Sequence, residues 1–251
     1  ALQGPVLGLA QPDRAQAEAI VSARLGRPLD NREAASLDIV ATAHDAAVLA
    51  AVIRDPGASD GRHALYAAFA RHRLGKADDG AHRALADLAS RWRGDFLLVT
   101  QNVDDLHDRA HLETPPAPGF ELIHMHGELK KARCTASGVV CDWTSDLETR
   151  HASPHHPHGT LRPHIVWFGE IPLEMERIEA ALARCDLFVS IGTSGAVYPA
   201  AGFVDLAAAM GAETVELNLD PTAPGRFERT IAGPAGTTVP AWVDSLIGPQ
   251  A

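Results

Sequence analysis

The sequence predicts an α/β fold that is built on an open sheet of parallel strands. Short apolar segments recur after residue 94, and three of them end at small or polar residues. Helical patterns follow or precede these segments, as they do where helices connect buried parallel strands. The expected strands are 96–99, 165–168, 187–191 and 214–217, and the expected helices between them are 173–184 and 199–210. Ligands of such sheets bind outside the carboxyl ends of the strands, so we expect the functional site there.

The part of the chain before residue 95 differs from the rest in composition and in its hydrophobic pattern. It is rich in alanine, and its helical patterns cover 13–25, 32–53, 62–74 and 79–92. A second unusual stretch, 134–160, holds Cys134, Cys141 and a run of histidines. We expect one domain over 1–251, with an atypical helical part at 1–94, the sheet at 95–133 and 161–251, and a small insert at 134–160.

Composition narrows the classes of function. The net charge of −10 disfavours a phosphate backbone or an anionic membrane surface as the main ligand. The sequence has no apolar run of roughly eighteen residues and no signal-peptide pattern at its start. Three cysteines in 251 residues fit a reducing compartment better than a disulfide scaffold. We therefore expect a cytoplasmic protein that binds neither nucleic acid nor membrane.

A polar segment follows the apolar strand at 96–99 and provides the first functional signal. Gln101 and Asn102 offer donors and acceptors that suit ribose hydroxyls, and Asp104 can accept a hydrogen bond from a carboxamide. The alternative is a polar turn in which Asp104 or Asp105 caps the next helix. Both interpretations remain open at this point.

The second signal is the short segment His124-Met-His-Gly-Glu128. The side chain of a histidine ordinarily titrates near neutrality, so His126 could take a proton from a sugar hydroxyl, and Gly127 allows backbone or ligand to approach closely. A structural role is the alternative for an isolated histidine. His124 lies two residues away and faces the opposite side if the segment is extended, so the two rings cannot share one role.

Three further segments carry weaker signals. The loop Gly192-Thr-Ser-Gly195 follows the strand at 187–191 and could bind phosphate or ribose through backbone N–H groups. The segment Asn218-Leu-Asp220 follows the strand at 214–217 and has the acidic group expected for a ribose diol. The aromatic segment Val166-Trp-Phe-Gly-Glu170 could add an extended peptide as a further strand. Ordinary tight turns and a core strand are the alternatives.

In combination the motifs are far more specific than any one of them. They occur in the order Gln-Asn-Val-Asp (101–104), His-Met-His-Gly-Glu (124–128), Leu-Arg-Pro-His-Ile-Val-Trp-Phe-Gly-Glu (161–170), Ile-Gly-Thr-Ser-Gly (191–195), Val-Tyr-Pro-Ala-Ala (197–201) and Glu-Leu-Asn-Leu (216–219). The chain from about 95 to 245 closely resembles the sirtuins, which are NAD-dependent protein-lysine deacylases, and resembles most of all their bacterial deacylase branch. The resemblance implies a Rossmann-like open parallel sheet with a small inserted module like a degenerate zinc ribbon.

The resemblance also implies an activity and a set of site residues. The expected reaction transfers the acyl group of a modified lysine in a protein or peptide to ADP-ribose and releases nicotinamide from NAD. His126 is then the general base, and Asn102 is the second catalytic residue. The implied contacts to NAD are Gln101, Asn102, Val103, Asp104, Gly192, Thr193, Ser194, Asn218, Leu219, Asp220 and Ala235. The implied contacts to the substrate peptide are Val166, Trp167, Phe168, Gly169, Glu170 and Val197.

Three departures from the sirtuin pattern leave questions open. The Gly-Ala-Gly-x-Ser loop that cradles the dinucleotide is not found in residues 1–94. Cys134 and Cys141, with His155 or His158, could form a mixed zinc site, but we favour a histidine-rich surface loop without metal. Tyr66 lacks an arginine at the spacing typical of enzymes that remove acidic acyl groups, so acyl preference stays open. The alternatives to a deacylase are a non-catalytic ADP-ribose- or protein-binding module, and an NAD hydrolase or ADP-ribosyltransferase.

Overall fold

The computed structural model describes residues 14–29, 80–144, 147, 151–167, 169–193, 195, 197–222 and 224–248. The helices expected at 32–53 and 62–74 lie outside these residues, as do Tyr66, Phe168 and Ser194. The chain divides into two compact units. The first unit comprises Ala1–Lys76 and Leu129–His164, and the second comprises Ala77–Glu128 and Ile165–Ala251. Our expectation of a single domain stays a prediction.

The helices and strands alternate along most of the described chain. The helices are α1 Arg14–Leu25, α2 Gly80–Arg91, α3 Leu106–Glu113, α4 Met175–Leu182, α5 Phe203–Ala209 and α6 Ala235–Ile247. The strands are β1 Phe96–Thr100, β2 Phe120–His124, β3 Gly127–Cys134, β4 Val140–Asp142, β5 Leu161–Ile165, β6 Leu187–Ile191, β7 Glu213–Asn218 and β8 Arg229–Ala232. None of the helices in the described part of the chain is both long and apolar enough to span a bilayer.

Parallel strands form the centre of the second unit. β1 pairs with β2, and β6, β7 and β8 pair in that order, all in parallel. Successive side chains of a strand point to opposite faces, and β1 follows this rule. Leu98 packs in a core with residues of α2 and α6, whereas Leu97 and Val99 pack in a second core with residues of α4 and α5. Helices therefore cover both faces, which confirms the predicted α/β, Rossmann-like fold.

Buried apolar residues explain why these strands lie inside. β7 is buried from Thr214 to Asn218, as expected for a central strand that is covered on both faces. Its Val215 and Leu217 join Trp242 and Val243 of α6 in the first core. The carboxyl ends of β1, β2, β6 and β7 then lead into the polar loops that the sequence singles out.

The histidine-rich insert forms part of a small sheet. Its strands lie in the order β4-β3-β5, and β3 and β4 are antiparallel, with Ala132 opposite Cys141. A small apolar cluster of Ala132, Cys134 and Leu161 supports this sheet, and Cys141 packs against it.

The prediction of a strand at 165–168 is wrong in its position. β5 covers Leu161–Ile165 and ends where that strand was expected to begin. Two hydrogen bonds close a turn immediately afterwards. The Trp167 N–H donates to the Glu170 carboxylate at 3.0 Å, and the Glu170 N–H donates to the Trp167 carbonyl at 2.9 Å. Gly169, with φ +89°, supplies the left-handed conformation that this turn requires.

Candidate active site

His126 lies in the turn that follows β2. Its Nδ1 atom is 3.0 Å from the carbonyl oxygen of Gln101, which can only accept a hydrogen bond. Nδ1 must therefore carry the proton, and in the neutral ring Nε2 keeps its lone pair. Burial lowers the pKa of His126, and the bond to Gln101 offsets part of this effect. The neutral form that a general base needs is thus favoured at physiological pH.

Two backbone hydrogen bonds, one at Met125 and one at His126 itself, fix the position of His126. The Met125 N–H donates to the Thr100 carbonyl at 3.1 Å, which continues the pairing of β1 and β2 beyond His124. The His126 carbonyl accepts the Val166 N–H at 2.9 Å. The segment after β5 is therefore held next to the candidate base by main-chain contacts, and these do not depend on side-chain identity.

Gln101 connects the loop after β1 to the loop after β6. Its carbonyl contacts His126, and its side-chain Nε2 lies 3.4 Å from Thr193 Oγ1. Asn102 is exposed, and its backbone N–H donates to Thr100 Oγ1 at 3.1 Å. The structure thus brings Gln101, His126 and Thr193 together at the carboxyl ends of three strands, as we expected.

Asp104 has the structural role that the sequence left open. It is 4% exposed, and its Oδ1 accepts the Leu106 N–H at 3.3 Å at the start of α3. A carboxylate at this position satisfies an otherwise unpaired N–H of the first turn. Asp105 occupies the cap position by geometry, but its side chain makes no capping bond. A contact from Asp104 to a carboxamide stays a prediction.

The loop after β6 is bonded to the carboxyl end of β7. Asn218 Nδ2 donates to the Thr193 carbonyl at 2.7 Å, and the Gly192 N–H donates to the Leu217 carbonyl at 2.9 Å. Gly195 has φ +59°, and a Cβ atom there would lie 2.8 Å from Thr222 Cγ2. Glycine is therefore required at position 195 by both conformation and space.

The remaining predicted contacts lie after several different strands and at the start of α6. Leu219 and Asp220 follow Asn218 and are exposed, and Ala235 begins α6, where it packs against the first core. Val197 is 48% exposed, whereas Trp167 is 8% exposed. Trp167 therefore contributes mainly to the core, and Val197 presents an apolar surface. The roles assigned to these residues stay predictions.

The predicted metal ligands do not come together. In the described residues, which include Cys134, Cys141 and His155, the ligand atoms of these three side chains do not all lie within 4.8 Å of one another. Cys134 is buried, and hydrogen bonds from the hydroxyls of Ser137 and Ser153 lower its pKa to about 7. His155 is exposed. The observed arrangement of these three donors does not fit a tetrahedral zinc site.

Two residues of the site were missed in the sequence. Glu216 in β7 is 1% exposed and accepts hydrogen bonds from the loop that follows. A glutamate between apolar neighbours of a buried strand was a visible signal for it. Arg226 donates to the Gly195 carbonyl at 3.0 Å and also to the Ala201 carbonyl. Nothing in the local sequence distinguishes this arginine from a solvated one.

Comparisons with known proteins agree on one family. Residues 44–199 match the Sir2 family. The chain is 51% identical over 173 residues to an NAD-dependent protein deacylase of Pasteurella multocida, and this match covers 68% of the chain and 71% of the relative. It is 50% identical over 172 residues to an NAD-dependent protein deacylase of Escherichia coli, which covers 67% of the chain and 60% of that relative.

A solved structure of a Sir2 homologue in complex with NAD is similar in fold. It has a TM-score of 0.64 and 26% sequence identity, and the match covers 91% of this chain and 86% of the homologue. The matched chain spans less than two thirds of the Escherichia coli relative.

Proposed function

This chain belongs to the Sir2 family, and we propose that it removes acyl groups from lysine side chains of proteins in a reaction that consumes NAD. The reaction also consumes one water, and its products are the free lysine, nicotinamide and O-acyl-ADP-ribose. The two relatives are bacterial proteins named NAD-dependent protein deacylase, which confirms the bacterial deacylase branch predicted from the motifs. The proposal for this chain adds which of its residues perform the chemistry.

One observation carries the proposal. The Nδ1 atom of His126 is occupied by the Gln101 carbonyl at 3.0 Å, so its Nε2 atom is the basic one. Burial keeps the ring neutral because it lowers the pKa. A ring that is anchored at one nitrogen and basic at the other is suited to take a proton from a hydroxyl. NAD, when bound, supplies the ribose that accepts the acyl oxygen and loses nicotinamide.

The surrounding residues would bind and orient the two substrates. Gln101 and Thr193 are within 3.4 Å of each other, so together they would define one wall for a ribose. Asn218 holds Thr193 in place through its 2.7 Å bond. Gly192 and Gly195 would let the phosphates come close to the backbone of this loop, because glycine has no side chain to block the approach.

The acyl-lysine peptide would lie along the segment after β5 and the exposed Val197. Main-chain pairing with an extended peptide supplies affinity without reading most side chains. The Val166 N–H is already bonded to His126, so the peptide groove and the base would keep a fixed separation. Substrates of many sequences are therefore expected, with the modified lysine as the common element.

Substitution of the base tests the proposal. We expect His126→Ala to lower the rate of deacylation by a factor of roughly a hundred or more, which is the usual contribution of a general base. The rate is measured as free lysine peptide formed, by mass spectrometry, with saturating NAD. His124→Ala is the matched control, because His124 is two residues away and its ring contacts Asp108 at 3.1 Å instead of Gln101.

The melting temperature of each variant is measured first, and rates are compared below it. Activity of His126→Ala within a few-fold of the unsubstituted protein would remove His126 from the role of base. An equal loss in both variants, with both folded, would show that the turn as a whole matters and not the ring of His126.

A further inference from the structure

The side chain of Glu216 places a carboxyl group in the middle of the buried strand β7. It is 1% exposed, and its neighbours Val215 and Leu217 are 1% and 0% exposed. Burial of a carboxyl group is costly unless hydrogen bonds replace those of water. The contacts that satisfy Glu216 therefore indicate why this residue type occupies the position.

The hydrogen bonds of Glu216 come from the last residue of its own strand and from the loop that follows. The Thr222 N–H lies 3.0 Å from Oε1 and 3.2 Å from Oε2. Asn218 Nδ2 lies 3.4 Å from Oε1. In the described part of the chain all of its donors are amides, and no cation pairs with it. The carboxylate thus bends the loop 219–222 back over the end of β7.

The bent loop is in turn fixed against the loop after β6. Asn218 uses the same Nδ2 group to donate to the Thr193 carbonyl at 2.7 Å. Thr222 also lies against Gly195, where a Cβ atom would come within 2.8 Å of its Cγ2. Arg226 holds Gly195 by a 3.0 Å bond to its carbonyl. Both loops therefore depend on Glu216, directly or through one contact.

We propose that Glu216 is a positioning residue for NAD, which sets the spacing of the two loops that would receive the ribose and phosphate groups. This inference rests on the proposed function. Glu216 acts through Thr222 and Asn218 and does not touch the dinucleotide. Its carboxyl oxygens lie beneath the loop 219–222, where they accept the Thr222 N–H and so order the backbone of this loop.

The test is the substitution Glu216→Gln. Glutamine keeps Oε1 but replaces Oε2 by an NH2 group, which faces the Thr222 N–H as a second donor. We expect KM for NAD to rise roughly tenfold, the size of effect that follows from disturbing one buried hydrogen bond. We expect kcat and KM for the acyl peptide to stay within about twofold. Amide hydrogen exchange at Thr222 in the free protein should become faster.

Glu213→Gln is the matched control. It is the same substitution in the same strand, but Glu213 is exposed at the opposite end of β7. It should leave KM for NAD and exchange at Thr222 unchanged. Affinity for NAD is also measured by calorimetry, which does not require turnover.

Two results would overturn the inference. Faster exchange at Thr222 with unchanged KM and affinity for NAD would mean that Glu216 stabilises the fold only. Unchanged exchange would mean that the carboxylate does not hold the loop. Failure of the proposed function has a different signature: the unsubstituted protein would bind NAD but would not release nicotinamide when an acyl peptide is added.

Discussion

Acid should destabilise this protein through His107, a half-buried histidine in α3. Its ring lies 4.5 Å from that of His82 on α2. Burial, together with the nearby His82, His111 and His124, lowers its pKa from 6.5 to about 3, and Asp108 opposes them. These groups from α2, α3 and β2 surround a ring that stays neutral in the folded protein well below the pH at which a free histidine is protonated.

The sign of the effect follows from proton binding in the two states. Between pH 6.5 and pH 3 the unfolded chain binds a proton at His107 and the folded chain does not. Stability therefore falls as the pH falls through this window. At roughly 1.4 kcal/mol per pH unit, His107 should reduce the free energy of unfolding by about 2 kcal/mol between about pH 7.5 and about pH 5.

Urea unfolding at a series of pH values measures this contribution when it is compared with the variant His107→Gln. Glutamine cannot be protonated, so the variant should lose about 2 kcal/mol less than the unsubstituted protein over the same range. The control His158→Gln, at an exposed position, should keep the original pH dependence. Parallel pH profiles for the unsubstituted protein and His107→Gln would refute the reasoning, as would a directly measured pKa near 6.5 for folded His107.

Three other predictions concern the candidate site and the small sheet. Gly195→Ala should lower NAD affinity and the free energy of unfolding by about 1–2 kcal/mol, because φ is +59° and Thr222 occupies the space. The control is Gly236→Ala, where a Cβ atom would meet nothing within 4 Å. Equal effects of the two substitutions would contradict the argument. The acid limb of kcat/KM should have its midpoint below about 6.5, since burial lowers the pKa of His126; a midpoint above that value would count against His126 as the base. Elemental analysis of the purified protein should find less than one equivalent of zinc, and a full equivalent would show that the Cys134 region binds metal after all.

Three strands that lead to the site were predictable because each is short, apolar and followed by polar residues, whereas β2, which precedes His126, was not predicted. The segments at 96–99, 187–191 and 214–217 all lie within observed strands. The segment at 165–168 misled because its aromatic residues look like those of a core strand. Trp167 is indeed buried, but the turn closed by Glu170 places it after the strand. Burial and strand geometry are separate properties, and composition reports only the first.

The sequence could predict which residues lie at the carboxyl ends of the strands, but not the contacts between them. Gln101, His126 and Thr193 follow three different strands and Asn218 ends a fourth, and the topology rule for parallel sheets brings such residues to one edge. The contacts of Arg226 could not be foreseen, because they join residues that are far apart in sequence, such as Arg226 and Gly195.

Nicotinamide release tests the central claim most directly. The purified protein is incubated with NAD alone, and with NAD plus an acetyl-lysine or a succinyl-lysine peptide. We predict that nicotinamide appears only when an acyl peptide is present, with one nicotinamide formed for each acyl group removed. Release at the same rate without peptide, or no release from a protein that binds NAD, would contradict the account.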